Sequence, residues 1–338
     1  MAVDQQAHWQ SGEVVAVEPA ADGVTRIVLR TERSHRVPPG SHVDLLVPVE
    51  GGQEVRSYSV VRSGADGREV TISVQLAPAS RGGSRFMHTL RPGDRVELTQ
   101  PLQNFPLGVG APRYVLLAGG IGITALVAMA ETLRARRADY ELHYVGRSRA
   151  VMAYLDELEA GHAGHFHGYV DDEGRPLDLD AFLDGIGPAD GTGQGTELYL
   201  CGPIRLMDAV RRGWQARGLP PTNLRFETFG NSGSWDAQPF LVDVPAAGRT
   251  VEVGESDSLL DALERAGIDV LSDCRKGECG LCQGAVLDLD GRIDHRDVFL
   301  SESQQQADIM MCACVSRVVA AAERPADGAR GRVSIAIP

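Results

Sequence analysis

Short apolar runs that alternate with polar residues dominate the first hundred residues of the chain. The alternation favours β-strands, because successive side chains of a strand point to opposite faces. Breaks rich in Pro, Gly and Asp, such as Val37–Gly40 and Arg91–Asp94, separate the runs. Six strands are predicted in this way: Glu13–Val17, Thr25–Leu29, Val43–Val47, Arg56–Val61, Val70–Leu76 and Arg95–Leu98. Many short strands joined by turns predict a small antiparallel β-barrel.

The pattern changes near Pro112, where strand-like and helix-like segments begin to alternate. Arg113–Ala118 is a continuous apolar run of the buried-strand type, and a glycine turn and a helix-like run to about Arg136 follow it. The alternation continues through Leu142–Val145, Ala150–Leu158, Glu197–Leu200 and Ile204–Ala216, with a Gly- and Asp-rich loop at Gly185–Gly195. This rhythm predicts a parallel sheet covered by helices.

A third region begins after Phe229–Gln238, which has the composition of a linker. Strands are predicted at Phe240–Val244 and Thr250–Val253, followed by a short helix that Asp257 or Ser256 caps and Gly267 ends. The predicted organisation is multidomain: a β-barrel at 1–108, an α/β parallel-sheet domain at 109–230, a linker at 231–238 and a small α+β domain at 239–338.

Composition narrows the class of protein. The chain has 338 residues, is 43% apolar and contains no apolar run long enough to span a membrane, which predicts a soluble globular protein. A formal net charge of −13 disfavours nucleic acid and anionic membranes as partners. The N-terminus has no signal-peptide pattern, so we expect a cytoplasmic protein. In a reducing cytoplasm, five cysteines clustered between 274 and 314 indicate metal ligation rather than disulfides.

The cysteines carry the most specific signal. Cys274, Cys279 and Cys282 have the C-x4-C-x2-C spacing of a plant-type [2Fe–2S] cluster. Gly277 and Gly280 allow backbone amides to approach the sulfurs. Zinc is the alternative ion, but this spacing favours the iron–sulfur cluster.

Two thiols compete for the fourth ligand position, Cys312 and Cys314. Spacing taken literally favours Cys312. However, Leu287–Arg292 contains an Asp-Gly turn signal, and a lengthened hairpin there would shift the count by two residues. Spacing alone therefore leaves both open.

Two segments of the barrel region could hold a flavin. Arg56-Ser57-Tyr58-Ser59 offers a guanidinium for a phosphate, a ring to pack on the flavin and a hydroxyl for its N5, although an ordinary strand can carry the same residues. Ser80–Arg85 contains Gly82, Gly83 and Ser84, whose amides and hydroxyl suit a phosphate; a solvated surface loop is the alternative.

Two segments of the α/β region could hold a nucleotide. Gly119, Gly120, Gly122 and Thr124 form a glycine turn between a strand and a helix, the context of a pyrophosphate site, although the turn is not the G-x-G-x-x-G fingerprint. Cys201-Gly202-Pro203 ends another strand. Cys201 could be a nucleophile, a buried structural thiol or a neighbour of the nicotinamide ring, and no His/Asp constellation supports the first option.

Taken in this order, the motifs resemble those of the phthalate dioxygenase reductase family, including the similar vanillate demethylase reductases. The resemblance covers essentially the whole chain and extends to His295–Asp297, Leu300-Ser301 and Cys314–Arg317. It implies that Cys314 is the fourth ligand and that Cys312 is a neighbouring thiol, with two extra residues in the hairpin before His295. One departure is Ala125 after the glycine turn, where many relatives in the ferredoxin–NADP reductase superfamily carry Pro.

The resemblance implies a flavin barrel, an NADH domain and a C-terminal ferredoxin domain of β-grasp type. It implies the reductase component of a two-component Rieske-type oxygenase, which passes electrons from NADH through FMN to the [2Fe–2S] cluster. The partner is then a terminal oxygenase with a Rieske cluster and mononuclear iron, acting on aromatic or other small substrates. A monomer is expected.

The same resemblance suggests roles for individual residues. Ser59 and Cys201 are expected at the reacting atoms, Ser59 beside the flavin N5, and Cys201 with Thr124 in the nicotinamide pocket. Glu227 and Phe229 are expected to close over the flavin. NADH is favoured over NADPH, although Arg147–Arg149 could bind a 2′-phosphate.

Two alternatives remain. One is an FAD-containing reductase of a di-iron oxygenase with the same domain order. The other is an electron carrier or redox sensor whose first two domains have lost their cofactors.

Overall fold

The computed structural model describes residues 7–49, 52–77, 82–186, 195–229, 235, 237–255, 257–320 and 330–337. The chain forms two compact units, 1–227 and 228–338. Most of the predicted linker and of the predicted Gly185–Gly195 loop lie outside the described residues, as do Ser80 and Arg81. Within the described residues, no helix combines the length and the apolar character needed to cross a membrane.

The first unit opens with an antiparallel barrel, as the alternating pattern predicts. Its strands are β1 (Trp9–Ala21), β2 (Val24–Thr31), β3 (Ser41–Val49), β4 (Gly52–Ser63), β5 (Glu69–Gln75), β6 (Arg95–Thr99) and β7 (Leu102–Gln103), with helix α1 (Gly83–Thr89) after β5. The order is β4-β5-β2-β1-β6-β3-β7, and the β4–β3 pairing closes the barrel. Apolar side chains at alternate positions, such as Ile27, Leu45 and Ile72, fill its interior.

The second half of this unit is a five-stranded parallel sheet with helices. Its elements are β8 (Arg113–Gly119), α2 (Ile123–Ala135), β9 (Tyr140–Gly146), α3 (Leu155–Gly161), β10 (Phe166–Val170), α4 (Leu179–Asp184), β11 (Thr196–Cys201), α5 (Ile204–Ala216) and β12 (Leu224–Glu227). The strand order is β10-β9-β8-β11-β12. The central strand β8 is buried from Tyr114 to Gly119, because helices cover both faces of such a sheet.

The second unit is an α+β domain. Its elements are β13 (Phe240–Val244), β14 (Arg249–Val253), α6 (Leu259–Arg265), β15 (Gln283–Asp290), β16 (Arg292–Asp294), α7 (Glu302–Gln306), β17 (Met310–Cys312), β18 (Arg317–Val319) and β19 (Gly331–Ala336). A mixed sheet has the order β14-β13-β19-β15-β17, and β16 pairs with β18. The three predicted fold classes are thereby confirmed: a barrel, a parallel-sheet domain and a ferredoxin-like domain.

Two local predictions in the second unit were wrong. Helix α6 is capped by Ser258 rather than by Asp257, because Ser258 and Asp261 form a reciprocal capping box; Ser256, the other predicted cap, lies outside the described residues. The Asp-Gly turn at Gly291 does not close a hairpin, since β16 leaves β15 and pairs with β18. Gly291 instead marks a corner between two sheets, where a Cβ would lie 2.4 Å from the carbonyl oxygen of Val319.

Candidate functional site

Three neighbouring strand ends form the edge of the parallel sheet where Cys201 lies. Cys201 ends β11 and pairs in register with Ala118 of β8 on one side and with Glu227 of β12 on the other. Both Cys201 and Glu227 are buried. Ligands of open α/β sheets bind outside the carboxyl ends of the strands, so this edge is the expected nucleotide crevice.

The glycine turn after β8 packs against the end of β11. A Cβ on Gly122 would lie 2.2 Å from the carbonyl oxygen of Cys201, and a Cβ on Gly119 would lie 2.7 Å from Cδ of Pro203. Only glycine therefore lets the two strand ends approach this closely. Gly120 differs, because its φ is 52° and its Cβ position has no atom of the described residues within 4 Å. Its backbone faces open space, as a site for a bound nucleotide requires.

Thr124 and Gly202 complete the contact between the turn and β11. The buried Thr124 hydroxyl donates to the carbonyl oxygen of Ile121 over 2.9 Å, which fixes the start of α2. A Cβ on Gly202 would lie 3.0 Å from Cα of Gly119. Both residues thus shape the crevice by holding its backbone.

The four residues of the Arg-Ser-Tyr-Ser segment divide between two faces of β4. Arg56 and Tyr58 pair in register with Leu45 and Val43, two residues of the barrel core. Burial raises the pKa of Tyr58 to about 12, so its phenol stays protonated. Ser57 lies on the opposite face, where its hydroxyl donates to Asp44 over 2.6 Å.

Ser59 connects the barrel with the nucleotide crevice. Its hydroxyl donates to Oε2 of Glu227 over 3.1 Å, and both side chains are buried. Glu227 in turn is adjacent in register to Cys201. The structure therefore brings three residues with predicted roles to one place, although they are far apart in the sequence.

At the other end of the segment, the guanidinium of Arg56 lies beside the backbone of Gly83. A Cβ on Gly83 would lie 3.3 Å from Cγ2 of Val47 and 3.5 Å from Nε of Arg56, so the glycine allows the guanidinium to pack closely against the start of α1. Arg56 also forms an ion pair with Glu54. The Oγ of Ser84 accepts a hydrogen bond from the amide of Ala77 over 3.2 Å. The guanidinium of Arg56 is a donor group that suits the phosphate of a flavin.

In the second unit, the cysteine loop surrounds the sulfur of Cys274. The amides of Lys276, Glu278 and Cys279 each donate to this sulfur over 3.4 Å. A hydrogen bond from Cys314, assisted by these amides, lowers the pKa of Cys274 to about 4. The three backbone amides favour a thiolate at Cys274, which is the form that binds iron.

The remaining thiols meet around Cys282. Hydrogen bonds from Cys312 and Cys314 lower its pKa to about 3. Cys314 forms hydrogen bonds with both Cys274 and Cys282. Cys312 forms a hydrogen bond with Cys282 but none with Cys274. None of the six cysteines forms a disulfide.

Backbone geometry also separates the two candidate ligands. Cys312 is the last residue of β17, is fully buried and pairs with Gln283 of β15. Its carbonyl oxygen accepts from the amides of Val315 and Ser316 over 3.2 and 2.9 Å, so Cys314 lies in a tight turn. Its position in this turn makes Cys314 the more suitable of the two as the fourth thiolate ligand.

Two glycines give the cysteine loop its shape. Gly277 and Gly280 have φ values of 77° and 72°, a region that favours glycine. A Cβ on Gly277 would lie 2.7 Å from Cγ2 of Val315, and one on Gly280 would lie 2.4 Å from the ring of Phe299. The thiol of Cys279 also forms a hydrogen bond with that of Cys274. With the convergent thiols of Cys274, Cys279, Cys282 and Cys314 and with inward amides, the loop fits a [2Fe–2S] cluster.

A second set of contacts supports the cysteine loop from outside, and no sequence motif indicated it. The amide of Thr228 donates to Glu278 over 2.8 Å, and its hydroxyl donates to the carbonyl oxygen of Lys276 over 2.7 Å. Burial raises the pKa of Glu278. Phe229 follows in this second unit and is half-buried. Its predicted place over the flavin stays a prediction.

The flanking segments that resemble the family are buried polar anchors. Asp297 accepts from the amide of Leu300 over 2.8 Å and from the hydroxyl of Ser316 over 3.2 Å. The guanidinium of Arg317 donates to the carbonyl oxygens of Gln238 and Gly254 over 2.9 and 2.7 Å. These contacts hold the turn that carries Cys314 against the rest of the domain.

Comparison with known proteins agrees with this geometry. Residues 242–319 match the family model described as a 2Fe-2S iron-sulfur cluster binding domain. The heme-dependent oxidative N-demethylase beta subunit of Ectopseudomonas mendocina is 39% identical over 279 residues, which cover 82% of this chain and 85% of that protein. The vanillate O-demethylase oxidoreductase of a Pseudomonas species is 35% identical over 288 residues, covering 83% and 87%.

The solved structure of phthalate dioxygenase reductase is described as a modular structure for electron transfer from pyridine nucleotides to [2Fe-2S], and it matches nearly the whole length of this chain. It superposes with a TM-score of 0.70 at 28% identity, over 97% of this chain and 98% of that one. The chain belongs to the phthalate dioxygenase reductase family. As a member of the phthalate dioxygenase reductase family it is an oxidoreductase, the reductase subunit of an oxygenase system, with a flavin- and NAD-binding fold and a [2Fe–2S] domain.

Proposed function

We propose that the chain takes a hydride from NADH and delivers single electrons through its [2Fe–2S] domain to a terminal oxygenase. The observation that carries this proposal is the buried Ser59–Glu227 hydrogen bond of 3.1 Å, which joins the barrel to the carboxyl edge of the parallel sheet. A bound flavin supplies the conversion of a two-electron hydride into single electrons. The experiment is rapid mixing with NADH: Ser59→Ala is expected to slow flavin reduction, with the iron content unchanged.

Ser59, Cys201 and Glu227 position the reactants in this proposal. Ser59 orients the flavin edge with its hydroxyl, and Glu227 holds that hydroxyl in place. Cys201, fully buried at the strand end, packs beside the nicotinamide. Gly119, Gly120 and Gly122, together with Thr124, Gly202 and Pro203, form the backbone crevice for the dinucleotide. Ser57→Ala is the matched control for Ser59→Ala, because the Ser57 hydroxyl is exposed and bonds only to Asp44 among the described residues.

The flavin is proposed to be FMN, in keeping with the family resemblance. Arg56 can hold one terminal phosphate together with the start of α1, where Gly82, Gly83 and Ser84 lie. Tyr58 can pack against the ring. Flavin released from the purified protein and separated by chromatography is expected to be FMN. Release of FAD would favour the alternative, an FAD-containing reductase of a di-iron oxygenase.

NADH is proposed as the donor because Arg149, one of the two arginines in the segment that could bind a 2′-phosphate, is already engaged. Arg149 donates to Glu173 over 2.9 Å and to Glu159 over 3.1 Å. NADH is therefore expected to reduce the flavin faster than NADPH does. Removing both carboxylates, by Glu159→Gln with Glu173→Gln, should raise the rate with NADPH relative to NADH. A wild-type protein that NADPH reduces at least as fast as NADH would contradict the proposal.

The partner is proposed to be an oxygenase with a Rieske cluster and mononuclear iron, as the family resemblance implies. A second candidate is a heme-containing oxygenase, favoured by the 39% identity to the beta subunit of a heme-dependent N-demethylase. Cys274, Cys279, Cys282 and Cys314 hold the cluster from which the electrons leave. Reconstitution with the oxygenase encoded beside this chain would decide: its spectrum identifies Rieske or heme iron, and its reduction by NADH should require this chain.

A further inference from the structure

Two histidines and a glutamate meet on the parallel sheet, away from the nucleotide crevice. His143 of β9 and His167 of β10 pair in register, and their rings stack with centroids 4.6 Å apart. Glu141, two residues before His143, lies on the same face of β9. Ligand atoms of all three residues lie within 4.8 Å of one another. Gly146, at the carboxyl end of β9, is three residues further on, which is about 10 Å along a strand.

Surrounding groups orient two of these side chains. The Nδ1 atom of His143 is 3.0 Å from the Tyr169 hydroxyl, and Oε1 of Glu141 accepts from Arg113 over 2.9 Å. Nε2 of His143 and Oε2 of Glu141 then lie 3.0 Å apart in a hydrogen bond, whose proton a bound metal ion would displace. Such a separation is close to that of two ligands on one small metal ion, and outer hydrogen bonds of this kind are typical of metal-binding imidazoles.

Access to the cluster suits a metal ion. His167 is exposed, so its ring can turn toward the other two ligands. A cleft of about 450 Å³, whose lining includes Asp178 and Phe182, opens above the three side chains. A water molecule can therefore reach the ion as a fourth ligand.

We propose that Glu141, His143 and His167 bind one divalent transition-metal ion, with Zn²⁺ the best match. Two imidazoles and one carboxylate are a ligand set that Zn²⁺ accepts, with water in the fourth position. The ion would connect β9 to β10, the edge strand of the sheet. This site shares no residue with the crevice or with the cysteine loop.

Calorimetric titration of the flavin- and cluster-loaded protein with Zn²⁺ tests the proposal. The wild type is expected to bind one more Zn²⁺ than His167→Ala does, or to bind it at least tenfold more tightly. Glu141→Gln should weaken binding in the same direction. His165→Ala is the matched control, because His165 is exposed in the same segment and lies outside the cluster. Visible absorbance before and after titration checks that flavin and cluster are retained.

Thermal unfolding gives a second readout, since an ion that binds the folded state raises the unfolding temperature. Zn²⁺ should raise it for the wild type and for His165→Ala, and by less for His167→Ala. Because His167 is exposed, its replacement should leave the fold intact. Equal Zn²⁺ affinity and stoichiometry in the wild type and in His167→Ala would overturn the proposal, as would the absence of Zn²⁺ binding by the wild type.

Discussion

Replacing Cys312 and Cys314 separately by Ser should affect the iron–sulfur domain in opposite ways. Cys314 contacts both Cys274 and Cys282 from a tight turn, whereas Cys312 lies in the buried core at the end of β17. We therefore expect Cys314→Ser to lose the cluster, because a serine hydroxyl is a poor replacement for a thiolate ligand. Cys312→Ser should keep about two irons per chain, as a [2Fe–2S] cluster requires.

The cost of Cys312→Ser should appear in stability. Its side chain is fully buried, so the new hydroxyl loses water and costs about 1–3 kcal/mol. In a domain of this size each kcal/mol lowers the unfolding temperature by about 4 °C, which gives a fall of about 4–12 °C for the second unit. Cys314→Ser should also destabilise the domain, because it loses the metal centre that ties the loop to the turn.

Iron analysis and the visible spectrum of the two purified variants measure the outcome. Both variants should retain their flavin, which shows that the first unit is folded and serves as an internal control. Loss of iron from Cys312→Ser together with a normal cluster spectrum in Cys314→Ser would refute the assignment of Cys314 as the fourth ligand. In that case Cys312, which the literal spacing favours, would be the fourth ligand.

Three further substitutions test the packing and the flavin site. Gly122→Ala should destabilise the first unit by about 1–3 kcal/mol in denaturant unfolding, since its Cβ would overlap the carbonyl oxygen of Cys201 at 2.2 Å. The control is Gly185→Ala, whose Cβ would have its nearest contact at 3.4 Å and which should change the free energy of unfolding by less than about 0.5 kcal/mol. Arg317→Met should cost the second unit about 3 kcal/mol or more, because several carbonyl oxygens lose a charged donor; an unchanged unfolding midpoint would contradict this. Arg56→Ala should lower the flavin content of the purified protein, and full occupancy would argue against its phosphate role.

The sequence predicted those elements whose signal is local. Alternating β-branched residues indicated the barrel strands, and the continuous apolar run before the glycine turn indicated β8. Strand β10, with the sequence Phe-His-Gly-Tyr-Val, was not predicted, because His and Gly interrupt the apolar pattern. Its stability comes from pairing with β9 at the sheet edge, which is a tertiary effect.

The candidate site was predictable to the extent that its residues lie in compact motifs. The cysteine spacing and the glycine turn indicated chemistry by themselves. The bond from Ser59 to Glu227 could not be predicted, because it joins two residues 168 positions apart. The support that Thr228 gives to the cysteine loop spans 50 positions and has no motif either. In both cases the fold, rather than a local pattern, creates the contact.

Anaerobic titration of the purified, cofactor-loaded protein with NADH tests the central claim most directly. Visible absorbance follows the flavin, and electron paramagnetic resonance follows the [2Fe–2S] cluster in the same samples. The account predicts that NADH reduces both, and that Cys314→Ser still reduces its flavin but shows no cluster signal. A cluster that stays oxidised in the wild type after NADH has fully reduced the flavin would contradict the account.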